Sequence, residues 1–323
     1  MRVVFMGTPE FAVPSLEALL RSEETIVGVV TQPDRPKGRG QALAISPVKQ
    51  VGQQAGLPIL QPVKMKDHGF LETLRSWQAD LIAVAAFGRI LPGAILTMPP
   101  RGCINVHASL LPKYRGAGPI QWAIMNGESE TGITTMQMDE GMDTGDILLQ
   151  KRVLIEPADT AGSLSTKLAE VGAGLLLETI SRLKESTLTP RSQDHSQATV
   201  APLLKKEDGA INWHSSAAEL ANKVRGLSPW PGAYTHLKDS RWIIWQASAI
   251  SEGTGQPPFP AVPGSIVEAR KDGILVATGD GILIITELQP ANARRMTAAQ
   301  YLAGHSLPPG LALGSASTPS AKS

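Results

Sequence analysis

Residues Leu81 to Phe87 read L-I-A-V-A-A-F, an unbroken apolar stretch that, as a strand, has no face to turn toward water. Such a strand belongs inside a sheet covered on both sides. Val3 to Met6 and Cys103 to Val106 are shorter runs of the same kind, and Ile26 to Val30 adds another. Between them the apolar period changes: after the break at Gly7-Thr8-Pro9, residues Val13, Leu16, Leu19 and Leu20 recur at helical spacing. Short apolar strands alternating with helices predict an α/β domain with a mostly parallel sheet.

Further along, Thr131 to Met138 has a β-like pattern, G-M-D-T-G-D supplies a turn, and Ile147 to Ile155 returns as a strand. This predicts an antiparallel excursion at the sheet edge. A helix over Ser163 to Leu183, with Leu164, Leu168, Val171, Leu175 and Ile180 on one face, closes a first domain at residues 1–188. Residues 189–203 are polar and aperiodic, which suits a linker. Beyond it, one helical stretch (Ala217 to Arg225) precedes short strands near Trp242 to Ala249, Ser265 to Ala269, Ile274 to Thr278 and Gly281 to Leu288. That spacing predicts a small antiparallel barrel over residues 204–310, and the Ser/Ala/Pro tail at 311–323 is expected to be disordered.

With 42% hydrophobic and 18% charged residues, the chain can bury a sizeable core. The single Cys103 excludes an internal disulfide and a thiolate-rich metal site. No run of 18 uncharged apolar residues and no signal-peptide pattern is present, so a cytoplasmic chain without a membrane partner is expected. Thirty basic and 29 acidic side chains nearly cancel, so a nucleic-acid partner would have to use local patches. Two such patches stand out: Arg35, Lys37 and Arg39 in a Gly/Pro-rich loop, and the pair Lys205-Lys206.

The richest polar cluster is Asn105-Val106-His107, followed by Ser109-Leu110-Leu111-Pro112 and later by Asp143 in a Gly-flanked turn. Strand alternation aims Asn105 and His107 to one side, at the strand end where open α/β sheets bind ligands. An amide, an imidazole and a carboxylate at one point suit acyl transfer to an amine. The amide stabilises a developing oxyanion, the imidazole relays a proton, and the carboxylate orients the ring. Spacing alone leaves a blander reading open: a satisfied structural histidine and a turn-forming aspartate. Gly7-Thr8-Pro9 lacks the remaining glycines of a dinucleotide fingerprint, which favours a tight turn near the active-site rim.

Several longer stretches carry a family resemblance: F-M-G-T-P-E-F-A-V-P, T-Q-P-D-R-P-K-G-R-G from Thr31, A-A-F-G-R-I-L-P from Ala85, C-I-N-V-H-A-S-L-L-P-K-Y-R-G-A-G-P-I-Q from Cys103, and M-D-E-G-M-D-T-G-D-I-L from Met138. With L-S-P-W-P-G from Leu227 and V-A-T-G-D-G-I-L from Val276, the chain resembles the methionyl-tRNA formyltransferases up to about residue 305. The Asn, His, Ser-Leu-Leu-Pro and Asp pattern alone resembles all folate-dependent formyltransferases, so it marks the reaction type and not the acceptor.

The resemblance implies a Rossmann-like formyltransferase domain followed by an OB-like β-barrel that binds tRNA. It implies formyl transfer from 10-formyltetrahydrofolate to the methionine of initiator tRNA, by direct amine attack through a tetrahedral intermediate and without a metal. Asn105, His107 and Asp143 fall on the family's catalytic positions. Folate contacts fall on Phe87, Gly88, Arg89, Ile90 and Leu91, on Ser109, Leu110, Leu111 and Pro112, and on Asp139. Arg35, Lys37 and Arg39 match an insertion that reaches the acceptor end of tRNA, and Lys205 and Lys206 resemble basic residues of the family's linker.

Three other readings remain: a formyltransferase for another amine, such as an amino sugar nucleotide or glycinamide ribonucleotide, a tRNA-binding protein without catalysis, and an NAD-dependent enzyme with an α/β nucleotide domain. The basic loop with the barrel-like second domain argues against the first, Asn105, His107 and Asp143 argue against the second, and the missing glycine fingerprint weakens the third. Trp213, Trp230, Trp242 and Trp245 invite a base-stacking role, but tryptophans flanked by apolar residues, as in W-I-I-W, fit a core better. Lys223, Arg225, Lys238, Arg241, Arg294 and Arg295 are candidates for a phosphate-binding face, and a monomer is expected.

Overall fold

A computed structural model describes residues 1–37, 42–250 and 262–314. The chain divides into two compact units. The first comprises Met1–Pro119, Glu130–Leu154 and Leu164–Pro202; the second comprises Ile120–Ser129, Ile155–Ser163 and the chain from Leu203 onward. Each domain was expected to be one stretch of sequence, yet two short early segments group with the second unit. The reason is packing: Trp122 and Met125 lie against the second unit's apolar core, and a Cβ on Gly226 would stand 2.7 Å from Met125 Cγ.

In the first unit the elements run β1 (Arg2–Gly7), α1 (Val13–Leu20), β2 (Thr25–Val30), β3 (Arg35–Lys37), β4 (Ala42–Ala44), α2 (Pro47–Gln54), β5 (Ile59–Leu60), α3 (His68–Ser76), β6 (Leu81–Ala85), α4 (Gly93–Leu96) and β7 (Cys103–His107). After α5 (Pro119–Met125), which from Ile120 onward groups with the second unit, come β8 (Glu130–Gln137), β9 (Ile147–Leu154) and α6 (Ala161–Lys184), whose residues from Leu164 belong to the first. The sheet order is β5-β2-β1-β6-β7-β8-β9. Its strands are parallel from β5 through β7, and β8 and β9 are antiparallel. This is the expected α/β domain with its antiparallel edge. Every residue of β6 is buried, as a strand covered on both faces requires.

Local chemistry sets the helix starts. Ser46 accepts from the Lys49 amide ahead of Pro47, and Asp67 accepts from the Phe70 amide at the start of α3. The long apolar run stops being a strand at Ala85, because Ala86 and Gly88 adopt left-handed backbone (φ +43° and +75°) and turn the chain. The Gly/Pro-rich stretch that carries Arg35 and Lys37, read as a loop, contains strands β3 and β4, which pair antiparallel. Residues 191–202 are not a free linker: Arg191 exchanges backbone hydrogen bonds with Ile147, and Ala201 N donates to Arg115 O at 2.7 Å. A lack of periodicity cannot reveal a segment held by such single bridges.

The second unit adds α7 (Ala217–Gly226), β10 (Ala233–Leu237), β11 (Ser240–Ile250), β12 (Ile266–Arg270), β13 (Gly273–Ala277), β14 (Ile282–Pro290), β15 (Met296–Thr297), α8 (Ala298–Leu302) and β16 (Leu313–Gly314). The strand order is β12-β13-β14-β11-β10-β16, all antiparallel, with β15 on β14: an OB-like curled sheet. Its core includes Trp213 and Trp242. Trp242 is fully buried, edge-on to Tyr301 at 4.9 Å, and Trp213 donates to the Thr235 hydroxyl at 3.1 Å. Trp245 is half-buried, and Trp230 is 50% exposed.

The expected start of a disordered tail at residue 311 is corrected here. Leu313 is 4% exposed, pairs with Leu237 and donates its N–H to Gly264 O at 2.7 Å, because a buried leucine completes the sheet edge. Ending the chain after Leu311 is therefore expected to cost about 2 kcal/mol, the burial of one leucine, as a lower midpoint in urea unfolding. Residues 315–323 lie outside the described residues.

Candidate active site

Strand β7 delivers the site. Its residues alternate so that Asn105 and His107 share a face, and the strand is hydrogen-bonded on both edges, to β6 and β8. His107 is 5% exposed. Its Nε2 lies 2.9 Å from Tyr114 O, so that nitrogen carries a hydrogen and donates it. Its Nδ1 faces Asp143 Oδ2 at 3.6 Å, outside direct hydrogen-bond length but in ion-pair range once the ring is protonated. Asn105 is half-buried, and among the described residues none hydrogen-bonds its side-chain amide. The structure thus brings His107 and Asp143 together on the strand end that also carries Asn105.

Two loops hold the partners. Tyr114 reaches back to His107 through a left-handed backbone at φ +61°, and its own N–H donates to Thr199 Oγ1 at 2.8 Å. Gly116 N donates to Asp143 Oδ2 at 2.8 Å. Only glycine suits that position, because its φ is +116° and a Cβ would stand 2.7 Å from Ala201 O. Asp143 itself is left-handed at φ +55°. Its turn is pinned by Asp139, whose carboxylate accepts from Gly141 N at 3.0 Å and from Thr144 Oγ1 at 2.7 Å.

The segment Ser109 to Pro112 is sealed from below. Ser109 is fully buried and its hydroxyl donates to Lys113 O at 2.6 Å; Leu111 is 3% exposed. Thr134 Oγ1 donates to Ser109 O at 2.7 Å and accepts from Leu111 N at 3.1 Å, while Gln150 Nε2 donates to Leu111 O at 2.9 Å. Leu110 and Pro112 remain half-buried. Ser109 and Leu111 therefore shape this loop, and its contact surface is Leu110 and Pro112.

Around the turn after β6, the Phe87 and Leu91 side chains belong to the core and Ile90 is 85% exposed. Arg89 donates to Val63 O at 2.8 Å. Gln32 Nε2 donates to Phe87 O at 2.9 Å and Gly88 O at 3.1 Å, and Thr8 Oγ1 to Phe87 O at 3.2 Å. The Gly7-Thr8-Pro9 turn thus braces the loop, as a place near the rim anticipates. Gln32 was not foreseen, since a glutamine within T-Q-P-D carries no sequence signal beyond its place in a loop.

Arg35 and Lys37 lie on β3, and Arg39 lies outside the described residues. Lys205 and Lys206 are exposed in the second unit, where Lys205 precedes a short 3₁₀ turn at Lys206–Gly209. Two candidates for a phosphate-binding face are spent internally. Lys223 donates to Ala210 O at 2.6 Å, and Arg225 to Asn222 Oδ1 at 2.9 Å; burial pulls both below their ordinary pKa values. Arg241 lies over the Tyr234 ring at 3.8 Å, and Arg295 pairs with Glu287.

Cys103, two residues before Asn105, is no nucleophile: burial pushes its thiol up to about 12, and its Sγ contacts Ile95 O. Native protein is expected to react with an alkylating reagent far more slowly than urea-unfolded protein, a difference that a thiol time course at neutral pH measures. Among the described residues no group of three His, Cys, Asp or Glu side chains could hold a metal ion, and no helix is long and apolar enough to cross a membrane.

Two formyl transferase family models match this chain and define its class. The formyl transferase family model matches residues 1–180, and the model of the formyl transferase C-terminal domain matches residues 203–306. A methionyl-tRNA formyltransferase of Desulfotalea psychrophila is 52% identical over 304 residues, 94% of this chain and 93% of that protein. Its counterpart from Acetivibrio thermocellus is 49% identical over 97% of this chain and its own full length. The chain belongs to the methionyl-tRNA formyltransferase family. Among solved structures, the sugar 3N-formyl transferase WlaRD, crystallised with dTDP and 5-N-formyl-THF, shares the fold at TM-score 0.67 and 19% identity, covering 91% of this chain and 99% of that one. HypX of Aquifex aeolicus with tetrahydrofolic acid does so at TM-score 0.61 and 18% identity, covering 94% of this chain and 47% of that one.

Proposed function

We propose that this chain transfers the formyl group of 10-formyltetrahydrofolate to the α-amino group of methionine carried by initiator tRNA. The observation that carries the chemistry is the pairing of His107 with Asp143 on the strand end that presents an uncommitted Asn105 amide. The exposed Ile90 and the backbone bracketing it give a flat heteroaromatic ring an apolar side and polar groups at its edge, so the residues present suit a pterin. Leu110 and Pro112 offer further apolar contact from the loop after β7. When bound, the folate supplies an activated formyl carbon.

Asn105 donates to the formyl oxygen as negative charge gathers there, and its half-buried position strengthens that bond relative to water. His107 is fixed through Nε2 by Tyr114 O, which leaves Nδ1 to exchange a proton. Asp143, locked by the Gly116 amide, favours the imidazolium so formed. The amine must lose a proton and the departing folate nitrogen must gain one, and the His107–Asp143 pair provides the route.

Arg35, Lys37 and Arg39 would follow phosphates at the acceptor end, and Lys205 and Lys206 would add charge from the second unit. The test is transfer of labelled formyl to charged initiator tRNA, with charged elongator tRNA as control. The expected result is strong preference for the initiator. Equal use of both, or transfer to an amino sugar nucleotide in its place, would overturn the assignment. Neutralising Arg39 is expected to raise the KM for tRNA at least several-fold while donor binding holds, with a gap to wild type that narrows as salt rises.

A further inference from the structure

Residues 191–201, whose composition suggests a linker, close over the loops that carry Asp143 and Tyr114. Gln193 is 6% exposed, and its amide is fully used. Its Oε1 accepts from Arg115 Nε at 3.1 Å and from Arg115 Nη2 at 2.6 Å; its Nε2 donates to Asp143 O at 2.9 Å and to Gly145 O at 2.7 Å. Arg115, 9% exposed, also donates Nη2 to His195 Nδ1 at 3.0 Å, and its backbone N–H donates to Thr199 O at 2.8 Å. One side chain therefore joins the loop after β7 to the turn before β9.

The backbone explains why this join bears on chemistry. Asp143 holds a left-handed conformation that residues with a Cβ adopt at a cost, so its neighbours must impose it. The peptide between Asp143 and Thr144 presents its carbonyl to Gln193. A shift of that backbone would carry the Asp143 carboxylate with it. Asp139 holds Gly141 and Thr144, and the Gly116 amide holds the carboxylate itself, but the carbonyls of Asp143 and Gly145 are held by the two hydrogen bonds that Gln193 donates.

We propose that Gln193 is a positioning residue for the reaction: its two N–H groups fix the turn that aims the Asp143 carboxylate at His107. The proposal rests on the formyl-transfer reading above. It differs from a purely structural role, in which Gln193 would serve only to satisfy the buried Arg115 guanidinium.

Gln193→Glu separates the two roles. It keeps, and by charge strengthens, the acceptor for Arg115 while replacing both donors with an oxygen that faces two carbonyls. Positioning predicts that Gln193→Glu and Gln193→Ala each lower kcat about 10- to 100-fold with little change in KM, and alter the pH profile of kcat. It also predicts that neither slows the Asp143→Asn enzyme further. A kcat for Gln193→Glu near wild type, while Gln193→Ala is slow, would reduce Gln193 to an anchor for Arg115. A further full loss in the Asp143→Asn background would likewise overturn the proposal. If Gln193→Ala does not fold, Gln193→Glu, in which Arg115 stays satisfied, decides alone. The proposal has a readout apart from activity: amide hydrogen exchange in the turn from Asp139 to Asp146 should speed up in Gln193→Glu. Should the wild-type chain itself transfer no formyl, the activity reading falls and this exchange still judges the clamp; unchanged protection would refute it.

Discussion

Asn105→Ala is expected to lower kcat on the order of 10²- to 10³-fold while tRNA affinity stays within a few-fold of wild type. The size follows from the geometry of β7. Asn105 lies in mid-strand, hydrogen-bonded through its backbone to neighbours on both sides, so removing its side chain leaves the strand in place. What is lost is a donor aimed at the position where charge develops. Half-buried, that donor has no mobile water of equal quality to replace it. The loss should fall on kcat and kcat/KM alike, since the bond strengthens only as the oxygen becomes anionic. Steady-state kinetics with a filter-binding assay for tRNA checks both halves. A loss of tRNA binding with retained turnover would remove Asn105 from the chemistry.

Asp143→Asn should cost at least as much, on the order of 10²- to 10⁴-fold in kcat. The substitution is chosen to spare the fold. An asparagine oxygen can still accept from the Gly116 N–H, and among non-glycine residues asparagine tolerates the left-handed backbone as readily as aspartate. Only the negative charge that faces His107 Nδ1 disappears. A protonated imidazole would then stand beside a neutral amide, and the relay between amine and departing nitrogen would stall. An unchanged thermal midpoint with a collapsed rate is the expected combination. A fall in the midpoint that matches the fall in rate would make Asp143 a turn former and nothing more.

The parts of this architecture that could be read from sequence are those in which local chemistry and periodicity agree. Unbroken apolar runs gave β1, β2, β6 and β7 to within a residue or two, because strands covered on both faces have no polar alternates. The two-residue spacing of Asn105 and His107 placed both on one face, and the G-M-D-T-G-D turn returned Asp143 toward them. What escaped is what depends on tertiary closure. Gln193 sits in a polar stretch that looks like linker, and only the fold reveals its four hydrogen bonds. Arg115 lay within the recognised C-I-N-V-H stretch, yet nothing in its spacing distinguishes a buried clamp from a surface charge. Ser109, expected beside the folate, spends its hydroxyl on Lys113 O, a turn contact that no pattern of alternation encodes. The tail boundary failed for a related reason: Leu311-Ala312-Leu313 is too short a run to carry a periodic signal, but Leu313 fills the end of the second core.

The central claim is that Asn105 and the His107–Asp143 pair act on one carbonyl in one step. Single-turnover formyl transfer by Asn105→Ala, Asp143→Asn and the double variant, at saturating donor and charged initiator tRNA, tests it most directly. Groups that act as a unit lose their effects together, so the double variant should be little slower than the slower single variant. Losses that multiply in full would show two independent contributions and contradict the claim.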